Sequence, residues 1–147
     1  KGRTKMNQNI DDNCIFCKLA HGKIPTNSIY EDDDFKVILD TSPASRGHSI
    51  ILPKTHAANI FELPDEYCEK IFKVAKKCGT AIKNAFDYEG LNVLQNNGEP
   101  AGQTVFHLHV HLIPRNTDDG ITIKYVPDNN MDDSIAAETA EKIKTQM

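Results

Sequence analysis

His107, His109 and His111 alternate with Phe106, Leu108, Val110 and Leu112 in the run FHLHVHLIPR, residues 106 to 115. Strict alternation marks a half-buried β-strand, whose successive side chains leave opposite faces. The spacing therefore predicts three imidazoles on one face and four apolar residues packing the other. A helix would scatter the same histidines around its axis. Pro114 is expected to end the strand, because proline cannot donate to a ladder. Imidazole titrates nearest neutrality and serves as acid, base, nucleophile or metal ligand. Three together repel one another when protonated, so the arrangement calls for an anion or a metal opposite them.

Two chemistries fit. All three could bind one zinc that keeps an open position for an activated water. The outer two of three same-face strand positions stand about 13 Å apart, far for a single ion. Alternatively the histidines divide the work: one attacks phosphorus and becomes nucleotidylated, and a neighbour hydrogen-bonds the phosphate and assists the leaving group. The spacing favours the second.

Other residues capable of chemistry are fewer. Cys14 and Cys17 form a CxxC, which at this spacing is half of a zinc site. A redox pair is the rival reading, but such motifs follow a strand and no strand precedes this one. Two plain buried cysteines are the third. Cys68 and Cys78 fall in a helical pattern and are expected in the core. The loop NNGEPAG, Asn96 to Gly102, lies just before the histidines. Its glycines allow close backbone approach, and consecutive loop amides can cup an anion. Asp40, alone at a strand end, reads as a turn or cap residue.

These groups need positioning elements. Ser28 to Tyr30 and Phe35 to Leu39 read as a hairpin around the acidic turn Glu31 to Asp34, and His48 to Leu52 as a third strand. Pro64 to about Phe86 is the one long helix, with an apolar stripe of Cys68, Ile71, Phe72, Ala75, Cys78, Ile82, Ala85 and Phe86. Gly79 inside it costs about 1 kcal/mol against alanine, which points to close packing. Leu91 to Gln95 is a fourth strand and Thr104 to Ile113 the fifth. A short amphipathic segment follows Cys14 as far as Ala20. Residues 6–13 are polar and expected to be loosely attached. After Arg115, Ile121 to Val126 is a candidate extra strand. Ser134 to Thr145 is a weakly amphipathic helix with Glu138 and Lys142 spaced to pair.

With 147 residues, 39% of them hydrophobic, the chain suits one domain with a tail. Its net charge of −4 and lack of a basic patch argue against nucleic-acid or membrane-surface binding. No apolar run approaches a membrane span and no signal-peptide core is evident, so a cytoplasmic protein is expected. Lys1 to Lys5, before Met6, resemble a tag remnant. The expected organisation is residues 1–13 as a remnant and loose N-terminus, 14–115 as the domain, and 116–147 as a polar C-terminal extension.

His107-Leu-His109-Val-His111-Leu112-Ile113 resembles the His-φ-His-φ-His-φ-φ motif of the histidine triad (HIT) family, nucleotide hydrolases and transferases. The likeness extends over Leu52-Pro53-Lys54-Thr55-His56, Asn96 to Gly98, Gly102-Gln103-Thr104-Val105 and the long helix, in the family's order. It implies an α+β HIT-like fold: a five-stranded antiparallel sheet, one long helix and a short N-terminal helix. By the same resemblance His109 is the nucleophile attacking the α-phosphate, and His111 contacts phosphate oxygen and the scissile side. Asn96, Gly102, Gln103 and Thr104 would form the phosphate-binding loop, Asp40 would hydrogen-bond ribose hydroxyls, and Ile38 would line the base pocket. Cys14, Cys17, His56 and His107 match the structural zinc site of bacterial Hint-like members. No magnesium is required. The implied activity is hydrolysis of purine nucleoside phosphoramidates with release of AMP. The GEPAGQTVFH loop leaves dinucleoside polyphosphate (Ap4A or Ap3A type) hydrolysis as the alternative, and a nucleotide-binding regulator with incidental catalysis as a further one. Homodimerisation through the long helix and an edge strand is also implied.

Overall fold

The computed structural model describes residues 7–147; the expected remnant at residues 1–5 and the start at Met6 lie outside them. Five antiparallel strands make one sheet in the order β1-β2-β3-β5-β4: β1 Ser28–Glu31, β2 Phe35–Leu39, β3 Ser49–Pro53, β4 Gly90–Leu94 and β5 Val110–Arg115. Helix α1 is Ile15–Ala20, α2 Asp65–Phe86 and α3 Asp133–Lys144. Asp32 shapes the β1–β2 turn, its carboxylate accepting from the amides of Asp34 at 2.8 Å and Phe35 at 2.7 Å.

Alternation along the strands divides the sheet into two faces. Val37, Ile51, Val110 and Leu112 pack against Tyr67, Ile71, Val74, Ala75, Cys78 and Ile82 of α2. Each buried Val, Leu or Ile side chain among them contributes roughly 1.5–3 kcal/mol. Ile38, Ile50 and Leu52 form a second cluster with Phe16, Leu19 and Ala20 of α1. His111 pairs with Ile50 across β3 and β5, so it belongs to this α1 face.

Several expectations need correction. The buried stripe of α2 includes Tyr67 and Val74, whereas Cys68, Phe72, Ala85 and Phe86 are exposed. Two overlapping apolar stripes fit the helical period, and the sheet takes the one a residue earlier. Gly79 meets the expectation of close packing: a Cβ there would lie 2.6 Å from Leu91 Cδ2.

The fifth strand was expected from Thr104, yet its ladder begins only at Val110. Pro53 has no amide to donate, its carbonyl oxygen faces the His107 ring, and the Leu108 amide turns to Ala57 O. Nor does Pro114 end that strand, which runs on to Arg115. The β3 ladder stops at Ser49↔Leu112, and the Pro114 carbonyl accepts from Ser45 Oγ at 2.8 Å. The proline nitrogen thus faces the side where no ladder partner remains.

Residues 7–13 are tied down, not loose. Asn9 N donates to Thr55 Oγ1 at 2.9 Å, Gln8 Nε2 donates to Asp33 O at 2.7 Å, and Asn9 O accepts from His56 N. Ile121 to Val126 forms no strand. Among the described residues α3 pairs Lys144 with Glu141 at 3.1 Å, not Lys142 with Glu138. No helix among them is long and apolar enough to cross a membrane.

Candidate active site and metal centre

The three histidines divide at the point where the ladder starts. His107 is fully buried, and its Nε2 lies 3.0 Å from Pro53 O. A carbonyl only accepts, so the proton sits on Nε2 and Nδ1 keeps a lone pair. That Nδ1 is 3.5 Å from Cys14 Sγ, 3.5 Å from Cys17 Sγ and 3.3 Å from His56 Nδ1. Cys17 Sγ is also 3.5 Å from His56 Nδ1. Tetrahedral zinc, with bonds of about 2.3 Å to sulfur and 2.0–2.1 Å to nitrogen, needs N–N edges of about 3.3 Å and N–S edges of about 3.5 Å. The four donors fit that geometry. Burial pushes the Cys17 thiol up to about 11 and holds His107 down to about 4. His107 is thus neutral, as a ligand must be.

Local structure explains the clip. Cys14 caps α1, its sulfur accepting from Cys17 N at 3.4 Å, so one helical turn brings both thiols to the same side. Phe16, between them, meets the His109 ring edge-on with centroids 4.9 Å apart.

His109 Nδ1 lies 2.8 Å from His107 O, which by the same reasoning puts its proton on Nδ1 and leaves Nε2 nucleophilic. Burial holds its pKa below the ordinary histidine value. The His111 ring stands 5.0 Å from that of His109 between centroids, and its Nδ1 is 2.9 Å from His48 Nε2. Burial, with repulsion from His109 and His48, pushes His111 down to about 4 against the pull of Asp40. The mutual repulsion expected from three clustered imidazoles is therefore relieved by neutrality.

Asp40 Oδ2 is 3.5 Å from His48 Nε2 and 3.9 Å from His111 Nδ1. Burial lowers the His48 pKa despite this carboxylate, so the contact joins an anion to a neutral ring. Asp40 Oδ1 also accepts from Ser42 N at 2.8 Å, so the turn role read from sequence is present beside the site role. His48 is a site residue that the sequence does not reveal, since by pattern it only starts a strand. Among the described residues no set of converging donors holds all three histidines of the motif; His107 joins the cysteines and His111 joins Asp40 and His48. One zinc on all three is not what the fold builds.

The loop before the histidines also differs from expectation. Gly98 and Gly102 have φ of 88° and 93°, values that favour glycine. Yet the amides of Ala101, Gly102 and Gln103 bond within the loop, and that of Gly98 bonds to Gln103 Oε1 at 2.7 Å. These four amides do not form the expected anion cup. Buried Gln103 donates its side-chain amide to Ala58 O and Val105 O, which makes it a brace for the loop. The side chains of Asn96 and Thr104 have no protein hydrogen bond among the described residues, and Thr104 is exposed. Ile38 is buried beside Phe16 and Leu19.

An antiparallel sheet with a Cys/His cluster that could hold a metal and an oriented pair of imidazoles on one face defines a class: α+β proteins with a buried histidine centre. Comparison with known proteins gives the family. The HIT domain profile matches residues 21–118. The chain is 47% identical over 104 residues to protein hit of Bacillus subtilis, covering 71% of this chain and 72% of that protein. It is 44% identical over 102 residues to the adenosine 5′-monophosphoramidase hnt1 of Schizosaccharomyces pombe, covering 69% and 74%. A crystal structure of a Bacillus subtilis HIT family member superposes with a TM-score of 0.87 at 38% identity, covering 92% of this chain and 98% of that one. A zinc-bound histidine triad protein from Mycobacterium smegmatis superposes at 0.72 with 31% identity, again over 92% and 98%. The chain belongs to the HIT domain family.

Proposed function

We propose that this protein is a nucleotide hydrolase acting at the α-phosphate through a nucleotidyl-histidine, with purine nucleoside phosphoramidates as substrates and AMP as product. The observation that carries the reading is the His109 Nδ1 to His107 O contact of 2.8 Å, which leaves a lone pair on a neutral, half-buried Nε2. In the first step His109 Nε2 forms a bond to phosphorus and the phosphorus–nitrogen bond to the amine breaks, the leaving nitrogen taking up a proton from solvent. In the second a water oxygen bonds to phosphorus and gives up a proton to solvent, the histidine–phosphorus bond breaks, and neutral His109 is regenerated. Each step passes negative charge through the phosphoryl oxygens, which donors at fixed positions stabilise. His111, Asn96 and Thr104 are the donors assigned here, with Asp40 for the ribose and Ile38 for the base. Relatives named as adenosine 5′-monophosphoramidases support the phosphoramidate over a dinucleoside polyphosphate.

Cys14, Cys17, His56 and His107 would hold a structural zinc. When bound it would supply a closed four-ligand anchor tying α1 to the approach of β5. A homodimer completes the reading: Phe72 is 72% exposed on α2 and Val93 42% exposed on the edge strand β4, an apolar pair suited to a second copy.

Incubation with adenosine 5′-phosphoramidate should release AMP, and His109→Ala should lower the rate by at least about 10⁴-fold, as expected when a nucleophile is removed. Turnover surviving in His109→Ala would overturn the covalent step.

A further inference from the structure

His48 takes no part in the resemblance or in the reaction as written above, yet its two ring nitrogens have unequal partners. Ala44 N lies 2.9 Å from His48 Nδ1. A backbone amide can only donate, so Nδ1 accepts and the neutral ring carries its proton on Nε2. That Nε2 faces His111 Nδ1 at 2.9 Å and Asp40 Oδ2 at 3.5 Å, two acceptors on the side where the proton must be. His111 Nδ1 therefore accepts, and the proton of neutral His111 is left on Nε2. The loop backbone holds His48 in this pose, since His48 N donates to Ser45 O at 3.0 Å and His48 O accepts from Asp40 N at 2.9 Å.

We infer that His48 is a positioning residue which, through the hydrogen bond relayed from Ala44, locks His111 as an Nε2–H donor toward the phosphoryl group. The two neighbouring imidazoles are then set as opposites. His107 O fixes His109 with a lone pair on Nε2, and Ala44 N–H, acting through His48, fixes His111 with a hydrogen there. In the other tautomer His111 would turn a lone pair toward the phosphoryl oxygens, which repels the charge it is placed to stabilise. No proton moves in this role: His48 and His111 keep theirs throughout. Protonating His48 on Nδ1 would break the Ala44 hydrogen bond, and burial already holds both rings neutral.

The assignment of His111 to the phosphoryl group rests on the proposed hydrolase reading; the tautomer does not. The test therefore has two arms on the full-length protein. Long-range proton–nitrogen correlation spectra of ¹⁵N-labelled histidine report tautomers directly. Wild type should show His111 as the Nε2–H form and His109 as the Nδ1–H form. His48→Leu should shift His111 toward a mixture and leave His109 unchanged. In the second arm, kcat/KM for adenosine 5′-phosphoramidate should fall about tenfold or more in His48→Leu, since a misaligned donor forfeits part of a contribution worth about 10²–10³. His48→Gln can accept from Ala44 through Oε1 and donate to His111 through Nε2, so it should stay within about threefold of wild type and keep the tautomer. An Nδ1–H His111 in wild type, or an unchanged His111 tautomer in His48→Leu, would overturn the inference. So would a rate loss in His48→Gln equal to that in His48→Leu, with both variants folded by circular dichroism. Absence of any turnover with the spectra as expected would refute the hydrolase reading and leave the tautomer lock standing.

Discussion

Under the structural-zinc proposal, chelation should cost this protein stability far more than activity. The Cys17–His107 contact closes a loop of 90 residues, and a cross-link over such a loop is worth about 4–5 kcal/mol in lost unfolded-state entropy. That is a lower estimate, because zinc coordination itself contributes about 10–16 kcal/mol of apparent binding energy in small peptides. For a chain of this size 1 kcal/mol moves Tm by roughly 2–4 °C, so chelation should lower Tm by about 10–20 °C. Turnover at 25 °C should hold within about threefold, because the hydrogen bond orienting His109 comes from the main-chain oxygen of His107 and not from its ligating Nδ1. The assay is metal content by elemental analysis, then Tm and initial rate before and after chelation, with Cys17→Ser as the genetic counterpart. A zinc-bearing protein whose Tm shifts by less than about 3 °C would refute the structural role. Loss of turnover with the fold intact would refute the separation of metal from catalysis.

Other outcomes can be checked alongside. Asp40→Asn should raise KM for a ribonucleotide substrate by about tenfold or more, since a hydrogen bond to a charged group is worth about 1.5–3 kcal/mol. It should change KM for the 2′,3′-dideoxy analogue little; an equal penalty on both substrates would remove Asp40 from ribose recognition. Stability should fall as pH drops from about 7 towards 4. Half-buried His111 holds its pKa at about 4, so the unfolded chain, with its histidine near 6.5, binds a proton that the folded one does not. The pH-dependent loss from this one group reaches about 3 kcal/mol, and urea midpoints at pH 7 and pH 4.5 measure it. A midpoint independent of pH over that range would contradict the burial. Under the homodimer proposal, Phe72→Glu should shift sedimentation from dimer to monomer, since the side chain lies largely exposed beside Val93 of edge strand β4; an unchanged wild-type-like dimer would put the interface elsewhere.

The local signals for the fold were strong where period and punctuation agree. β2 was legible to the residue because an apolar run is bounded by an acidic turn and Asp40. Helix α2 was legible in extent because its periodicity spans six turns between Pro64 and Asp87. Which face of α2 is buried is legible only in part: Ile71, Ala75, Cys78 and Ile82 are buried as their spacing implies, but Tyr67-Ile71-Val74-Cys78 and Cys68-Phe72 both satisfy a helical period. Only the position of the sheet chooses between them. The start of β5 is illegible for a similar reason: Thr104 to Leu108 alternates well enough, but its ladder partner runs out at Pro53.

Sequence by itself determined which side chains carry chemistry: three imidazoles at alternate positions, a CxxC, an aspartate after a strand and a glycine-bearing loop. Those features are covalent order and local period, which no packing can alter. Tertiary structure decided what each imidazole does. His107 turns to the thiols, His109 receives its tautomer from a carbonyl two residues back, and His111 meets His48, 63 positions away in the chain. The physical reason is that a tautomer or a ligand set depends on which atom faces each ring nitrogen at about 3 Å. His48 and Phe16 acquire their importance only there, since neither belongs to a spacing pattern in the chain. Partners brought together across loops of 39 to 93 residues exist only once the sheet has formed.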